Sequence, residues 1–91
     1  MYRVQLTPAA AASYGRLHPD IRKQIKAALK ILEEAPFSGK ALLPPLDGLR
    51  SLKMKRYRAV YQIHDEHRFV IILAISHRRD IYDIVSALLA T

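Results

Sequence analysis

Five basic residues fall within nine positions near the middle of the chain, and this cluster is its most unusual chemical feature. No acidic residue occurs between Asp47 and Asp65. Cations crowded on a rigid element repel one another. Their arrangement becomes favourable when a phosphate backbone lies across them and offsets that repulsion. The cluster therefore predicts a phosphate-binding surface, while a solvated sheet face with a chance excess of bases explains it equally well. Its members are Arg50, Lys53, Lys55, Arg56 and Arg58.

A second group of chemically capable residues runs from His77 to Tyr82, between an apolar run and the last predicted helix. A helix N-terminus offers free N–H groups and the positive end of a dipole to an anion, and Arg78 and Arg79 add charge there. Asp80 is the predicted N-cap and offsets part of that charge. Tyr82 is predicted at the edge of the buried stripe, about 100° around the helix from its predecessor, with its hydroxyl free. An ordinary capped helix with a half-buried tyrosine is the alternative.

The four histidines lack the spacing of a metal site, and the chain contains no cysteine. Disulfides, thiol catalysis and Cys-ligated metal centres are therefore excluded. We expect His18 and His67 on the surface. His64 and His77 follow predicted strands, where an imidazole suits acid–base work near neutral pH. No glycine-rich phosphate loop, nucleophile elbow or carboxylate pair is visible.

Composition limits what these residues can belong to. The chain has 91 residues, of which 51% are hydrophobic, and 15 Lys+Arg against 8 Asp+Glu give a formal net charge of +7. That length predicts a single domain over residues 1–91. The longest apolar run, Phe69–Ile75, is far shorter than the roughly 20 residues that span a bilayer. We expect a soluble, cytoplasmic protein with a polyanionic partner.

One strand and two helices are predicted in the first half of the chain. Tyr2–Leu6 alternates apolar and polar residues, as a half-buried strand does. Thr7 and Pro8 supply the N-cap and first position of a short helix. His18–Asp20 starts a second helix in the same way, and Pro36 ends it. The apolar face of this second helix consists of Ile21, Ile25, Ala28, Leu29 and Leu32.

The second half of the chain changes to a period of two after a loop predicted over residues 36–48. On the first of these strands Leu52 and Met54 are expected to face the core, with Lys53 and Lys55 together on the opposite face. The order β-α-α-β-β-β-α predicts an α+β domain, with three helices packed on a mainly antiparallel sheet of about four strands. The remaining predicted elements are a strand over 58–63, a turn at Asp65–His67, a doubly covered strand over Phe69–Ile75 and a helix capped by Asp80.

Two segments resemble the core pattern of the RelE/ParE superfamily of type II toxins. Leu46–Ile63 contains a leucine-glycine turn, a basic strand and the pattern Y-R-x-V-Y-x-I. His77–Tyr82 is similar to the superfamily's H-R-x-x-x-Y segment. The N-terminal strand and paired helices match in order and length. The resemblance covers essentially the whole chain and implies the RelE-like fold.

The RelE branch of this superfamily cleaves mRNA in the ribosomal A site and is inhibited by an antitoxin encoded beside it. The ParE branch inhibits DNA gyrase without catalysis. The resemblance to the RelE branch implies an endoribonuclease that needs no metal or cofactor, with the ribosome, mRNA and an acidic antitoxin as partners. It implies a catalytic set of Lys53, Lys55, Arg58, Arg78 and Tyr82, with Arg79 as the alternative to Arg78. Phosphate contacts are expected from Arg50, Arg56, Arg79 and His77.

The chemistry of RNA cleavage agrees with these residue types. Attack by the 2′-hydroxyl needs a base for its proton, positive charge beside the phosphate and an acid for the leaving 5′-oxygen. A phenol such as that of Tyr82 serves as the base only where cations stabilise its phenolate, so His77 and His64 stay as alternatives. A gyrase inhibitor and a plain nucleic-acid-binding module are the competing functions. The scarcity of aromatics in the basic strand argues against the latter.

Overall fold

Three α-helices, two short 3₁₀ helices (Pro36–Ser38 and Asp65–His67) and five strands make up the computed structural model, which describes residues 1–90. The strands form one mixed sheet in the order β1-β5-β4-β3-β2. In chain order the elements are β1 (Arg3–Leu6), α1 (Pro8–Gly15), α2 (Pro19–Glu34), β2 (Lys40–Ala41), β3 (Arg50–Met54), β4 (Tyr57–His64), β5 (Phe69–His77) and α3 (Ile81–Leu89). The predicted α+β class is confirmed.

The predicted sheet is mainly antiparallel, as expected, but its strand count of about four is wrong. The sheet has five strands because β2, a two-residue edge strand, lies in the stretch predicted as loop. Both of its residues are exposed, so it carries no apolar alternation that would reveal it. The exception to the antiparallel pairing is β1, which pairs with β5 in parallel. That pairing joins Arg3 to Phe69, far apart along the chain, and no local pattern encodes it.

The helix starts follow the predicted chemistry. The Oγ1 atom of Thr7 accepts a hydrogen bond from the backbone N–H of Ala10 at 3.2 Å. The Nδ1 atom of His18 accepts one from Asp20 N–H, also at 3.2 Å. A proline follows each cap, at the position where a missing N–H has no consequence. On α2, the residues buried against the sheet are Ile25, Leu29 and Leu32.

The sheet has two apolar faces, and each supports a separate group of helices. One face, here called the helix-pair face, packs Ala59 and Tyr61 of β4 against α1 and α2. The other, the α3 face, packs Val60 of β4 against Ile81 and Val85 of α3. Consecutive strand residues alternate between these faces. The face on which a side chain projects therefore decides which functional residues can meet. Among the described residues, no helix is long and apolar enough to cross a bilayer.

Candidate phosphate-binding site

Lys53 and Arg58 stand directly opposite each other on β3 and β4, and Ser76 of β5 stands opposite Arg58. Their neighbours Leu52 and Ala59 pack on the helix-pair face, so these three side chains project on the α3 face. Side chains opposite each other on paired strands are about 5 Å apart. Lys53 is exposed and Arg58 is half-buried. We call these three residues, two cations followed by the neutral Ser76, the cationic row.

The positive charges of the row are not neutralised by acids. Within residues 1–90, no lysine or arginine side chain forms an ion pair with a carboxylate, and the salt bridge present there joins His18 to Asp20. Two cations held side by side on a rigid sheet repel each other unless an anion lies between them. The row therefore offers preorganised charge to a phosphate.

Lys55 does not share the strand face of Lys53, and that prediction is wrong. The strand β3 ends at Met54, which pairs with Tyr57, so the chain reverses through only two residues. Lys55 occupies this turn with φ +58°, a left-handed conformation that is uncommon for a residue with a side chain. The turn places Lys55 beyond the end of the cationic row instead of beside Lys53.

The same turn joins the start of the segment that follows β5. The N–H of Arg78 donates to the carbonyl of Arg56 at 2.7 Å. Two of the predicted arginines thus lie side by side where β3, β4 and β5 end. Both are exposed. The structure brings this pair next to the cationic row, although they are 22 positions apart in the sequence.

Asp80 stands at the N-cap position of α3, but its side chain makes no capping hydrogen bond. Its backbone is already helical, with φ −108° and ψ −17°, whereas a capping side chain usually belongs to an extended residue. Asp80 therefore occupies the predicted N-cap position without forming the capping hydrogen bond. The N–H of Arg79 instead donates to the Nδ1 atom of His77 at 3.2 Å, and Asp80 N–H donates to the His77 carbonyl.

Tyr82 lies at the edge of the buried stripe of α3, as predicted. It is 38% exposed, whereas Ile81 before it is fully buried. Its side chain lines a groove of about 230 Å³ with Lys40 and the leucines of the segment after β2. Lys40 pairs with Ser51, two residues before Lys53 on β3. Tyr82 therefore lies on the α3 face, on the β2 side of the cationic row.

Both candidate histidines lie away from the row. The ring of His77 contacts Tyr57 edge-on, with centroids 5.7 Å apart, and its position on β5 directs it to the face opposite Ser76. His64 ends β4 at the far end from Arg58, with its ring stacked on Phe69 at 4.5 Å. Its Nε2 atom is 3.1 Å from the Oε1 atom of Gln62. His64 projects on the α3 face like Arg58, but it stands six residues along β4, roughly 20 Å away. Tyr82 is therefore the acid–base candidate that shares the face of the row at the end where the arginines gather.

Arg50 is held by backbone contacts, and its expected role in phosphate contact stays a prediction. Its Nε atom donates to the carbonyl of Gly39 at 3.0 Å and its NH2 group to that of Phe37 at 3.1 Å. The guanidinium also lies over the Phe37 ring, 5.4 Å from the centroid. It sits beside the buried Tyr61, its partner across β4, on the helix-pair face. Arg50 thus fastens the segment before β2.

Two residues of this region have no signal in the sequence. Lys40 shares the groove of Tyr82, but it belongs to a stretch whose prolines and glycines predicted only a loop. The Oγ atom of Ser51 is buried on the α3 face and lacks a hydrogen-bond partner in the described part of the chain. Serine is common on strands and at turns alike, so neither its type nor its spacing singles it out.

Comparison with known proteins identifies the family of the chain. A sequence model of the family described as "ParE toxin of type II toxin-antitoxin system, parDE" matches residues 4–82. Toxin RelG of Mycobacterium tuberculosis is 37% identical over 83 residues, which cover 89% of this chain and 95% of RelG. The chain belongs to the RelE/ParE family of type II toxins.

Solved structures of RelE/ParE toxins have the same fold. A chain of the toxin–antitoxin complex RelBE2 from Mycobacterium tuberculosis is 34% identical and matches with a TM-score of 0.79, covering 85% of this chain and 98% of that one. The isolated RelE toxin of E. coli, 22% identical, matches with a TM-score of 0.75 over 98% of this chain and 99% of RelE. The RelE-like fold expected from the sequence is confirmed.

Proposed function

We propose that this RelE/ParE toxin is a ribosome-dependent endoribonuclease, which cleaves mRNA in the A site and thereby stops translation in the cytoplasm. The observation that carries the proposal is the cationic row. Lys53 and Arg58 are opposite each other on a rigid sheet, without an acidic partner. A phosphate bound between them would gain charge stabilisation as its own negative charge grows in the transition state. The 37% identity to Toxin RelG supports the same branch.

In the proposed reaction the RNA's 2′-oxygen attacks the adjacent phosphorus and the bond from phosphorus to the 5′-oxygen breaks. The products are a 2′,3′-cyclic phosphate and a free 5′-hydroxyl, so atoms balance without water or a cofactor. Lys53 and Arg58 hold the non-bridging oxygens. Arg78, with Arg79 as the alternative, stabilises the leaving oxygen. Tyr82 takes or relays the proton of the 2′-hydroxyl, and one proton is delivered in turn to the leaving 5′-oxygen, so the protons balance. Tyr82 has this role because it lies on the face of the row while His77 lies on the opposite face.

The proposed substrate is mRNA held by the ribosome. Lys53 is exposed and Arg58 half-buried, so the row by itself holds a flexible RNA in only a few places. Placing reacting groups in line is worth several kcal/mol of the barrier, about 7–11 in well-oriented model reactions. We propose that the ribosome supplies this orientation, while the toxin supplies the charge and the proton transfer.

An acidic antitoxin is the proposed inhibitor. RelBE2 of Mycobacterium tuberculosis was solved as a toxin–antitoxin complex. The charge of +7 on this chain, with no described cation paired to a carboxylate, favours an acidic partner. The side chains of Ile84 and Leu89 on α3 are 39% and 54% exposed, which gives such a partner apolar surface to cover.

Gyrase inhibition is a second candidate function, because the family model that matches residues 4–82 is that of the ParE toxin. Both functions can be tested with one protein preparation. The purified toxin is incubated with a translated mRNA, with the same mRNA without ribosomes, and with gyrase and relaxed plasmid. We expect the mRNA to be cleaved only when ribosomes are present, and the downstream fragments to carry 5′-hydroxyl ends. Inhibited supercoiling with intact mRNA would overturn the endoribonuclease in favour of the ParE activity.

A further inference from the structure

A second pocket opens at the end of β5, next to the cationic row. It has a volume of about 320 Å³, within the range of sites that take small molecules. Its walls come from the C-terminal end of α1, the end of the β4–β5 ladder and the first turns of α3. The lining residues that carry chemistry are Ser13, Arg16, Tyr57, Ser76 and His77.

Ser76 connects this pocket to the cationic row. It lines the pocket and it also stands opposite Arg58 in the β4–β5 ladder. Neighbouring strands are about 5 Å apart, so the pocket begins one strand from Arg58 and two strands from Lys53. Tyr57 and His77 project on the helix-pair face, so an RNA strand with its phosphate on the row would pass around the end of β5, beside Ser76, to place a neighbouring base in the pocket.

The pocket combines aromatic walls with hydrogen-bonding groups. Tyr57 and His77 meet edge-on at 5.7 Å, and such rings provide surfaces on which bases stack. The Nδ1 atom of His77 accepts the N–H of Arg79, so the neutral imidazole carries its hydrogen on Nε2 as a donor. Arg16 and the serine hydroxyls add further donors and acceptors.

The charge of the pocket also fits RNA. None of its lining residues is acidic, and the exposed Arg16 forms no ion pair. A planar ligand with hydrogen-bonding edges, attached to an anionic chain, matches both the walls and the charge. A basic residue beside an aromatic wall is a recurring device for single-stranded RNA. The sequence does not predict this arrangement, because Arg16 lies far from the basic cluster.

We propose that this pocket binds an RNA base beside the cleaved phosphate, with Arg16, Tyr57 and His77 as residues that position the RNA and select its sequence. This inference rests on the proposed endoribonuclease function. It gives His77 a role in base recognition instead of proton transfer. It also makes the pocket a determinant of which codons are cut.

Binding is tested first on the free protein, without ribosomes. Backbone and imidazole NMR signals are followed while guanosine, adenosine, cytidine or uridine 5′-monophosphate is added, with ribose 5-phosphate as the probe that lacks a base. We expect at least one nucleotide to shift Ser13, Tyr57 and His77, while ribose 5-phosphate shifts only signals of the row, Ser76 included. Equal shifts by ribose 5-phosphate, or no shift with any nucleotide, would overturn the proposal.

A matched pair of variants tests the assignment to Arg16. Arg16→Gln removes a charge at the pocket, and Arg3→Gln removes the same charge on β1, where Arg3 pairs with Phe69 at the other end of β5. Both side chains are exposed, so neither change should unfold the protein. We expect nucleotide affinity to fall at least tenfold in Arg16→Gln only. If both variants lost the same nucleotide affinity, the loss would be explained by net charge alone, and the assignment of Arg16 to the site would be refuted.

Cleavage then tests selectivity separately from activity. On ribosomes, Arg16→Gln should change the distribution of cleaved codons, whereas Arg3→Gln should preserve it. An equal loss at every codon would overturn the selecting role. If the wild type cleaves no mRNA, the proposed endoribonuclease function is refuted. The nucleotide titration then still shows whether the pocket binds a base. If an acidic peptide shifts the pocket signals and nucleotides do not, the pocket belongs to a protein partner and the proposal is wrong.

Discussion

The hydroxyl of Tyr61 and the backbone of Gly39 are in such close contact that a side chain at residue 39 has no space. The N–H of Gly39 donates to the Tyr61 hydroxyl at 3.0 Å. A Cβ atom at this position would lie 2.4 Å from that hydroxyl and 2.9 Å from the carbonyl oxygen of Ser51. The contact fixes the chain just before Lys40, and hence the wall of the groove that Tyr82 lines.

The first prediction follows from this contact. Gly39→Ala should lower the free energy of unfolding by about 1–3 kcal/mol, because the buried tyrosine and the backbone of β3 must move apart. Gly15→Ala is the matched control, since a Cβ there meets no heavy atom within 4 Å. Urea unfolding measures both variants. Equal stability of the two would contradict the steric explanation.

The second prediction concerns alkaline pH. Burial raises the pKa of Tyr61, so the folded protein favours its neutral phenol. An unfolded tyrosine ionises near pH 10. The stability contributed by the neutral phenol is therefore complete below about pH 10 and is lost as the pH rises through the folded pKa.

The variant Tyr61→Phe makes the direction of this pH dependence of stability measurable. The variant leaves the N–H of Gly39 without its acceptor, which should reduce the free energy of unfolding by about 1–2 kcal/mol near neutral pH. Above about pH 10 the wild type loses the advantage of its hydroxyl. The difference between wild type and variant should then become smaller. A difference that stays constant or grows with pH would show that Tyr61 does not titrate as its burial implies.

The third prediction separates charge from backbone strain at Lys55. Lys55 and Arg68 are the non-glycine residues with positive φ in the described chain, at +58° and +55°. Either residue replaced by glycine relieves a left-handed conformation, and we expect stability to rise by up to about 1 kcal/mol. They lie in the turns at opposite ends of β4. Lys55→Gly should lower mRNA cleavage while Arg68→Gly does not, and equal activity of the two variants would remove Lys55 from the site.

The fourth prediction tests the cationic row. Lys53→Gln and Arg58→Gln should each reduce cleavage on ribosomes at least tenfold, because each removes a charge beside the phosphate. The exposed Lys53 contributes little packing, so its variant should stay within about 0.5 kcal/mol of wild-type stability. Lys30→Gln, an exposed site on α2, is the control for net charge. Wild-type cleavage by the double variant of Lys53 and Arg58 would refute the site.

The fifth prediction concerns the proton. Tyr82→Phe removes one hydroxyl and preserves the ring on α3. Single-turnover cleavage should fall by roughly 10²–10⁴, the usual worth of general acid–base catalysis, while ribosome binding stays unchanged. His77→Ala should alter the choice of codons and keep most of the rate. The reverse pattern would make His77 the base and Tyr82 a packing residue.

Interactions between residues close together in the sequence were sufficient to predict most of the helices and strands. Thr7 and His18 cap their helices through contacts two or three residues along the chain, and the proline after each cap acts at the same range. Apolar periods of two and of 3.6 likewise depend only on near neighbours, which is why the α+β class and the buried face of α2 follow from the sequence alone. The segments resembling RelE/ParE toxins are also contiguous stretches, and they identified the family.

Tertiary pairing decided which of the predicted residues meet. Lys53 faces Arg58 and not Lys55, because Met54 pairs with Tyr57 and the chain must turn at once. The parallel pairing of β1 with β5, and the contact of Arg50 with the segment before β2, both join residues that no local pattern relates.

The site itself depends on strand register. Ser76 and His77 are adjacent in sequence and project to opposite faces of β5, since side chains alternate along a strand. Which face carries the row is set by the packing of α3 on one side and of α1 and α2 on the other. The sequence by itself therefore determined the fold class, the family and the inventory of charged groups. Only the folded sheet decided that Tyr82 shares a face with Lys53 and Arg58, because register and face are properties of paired strands.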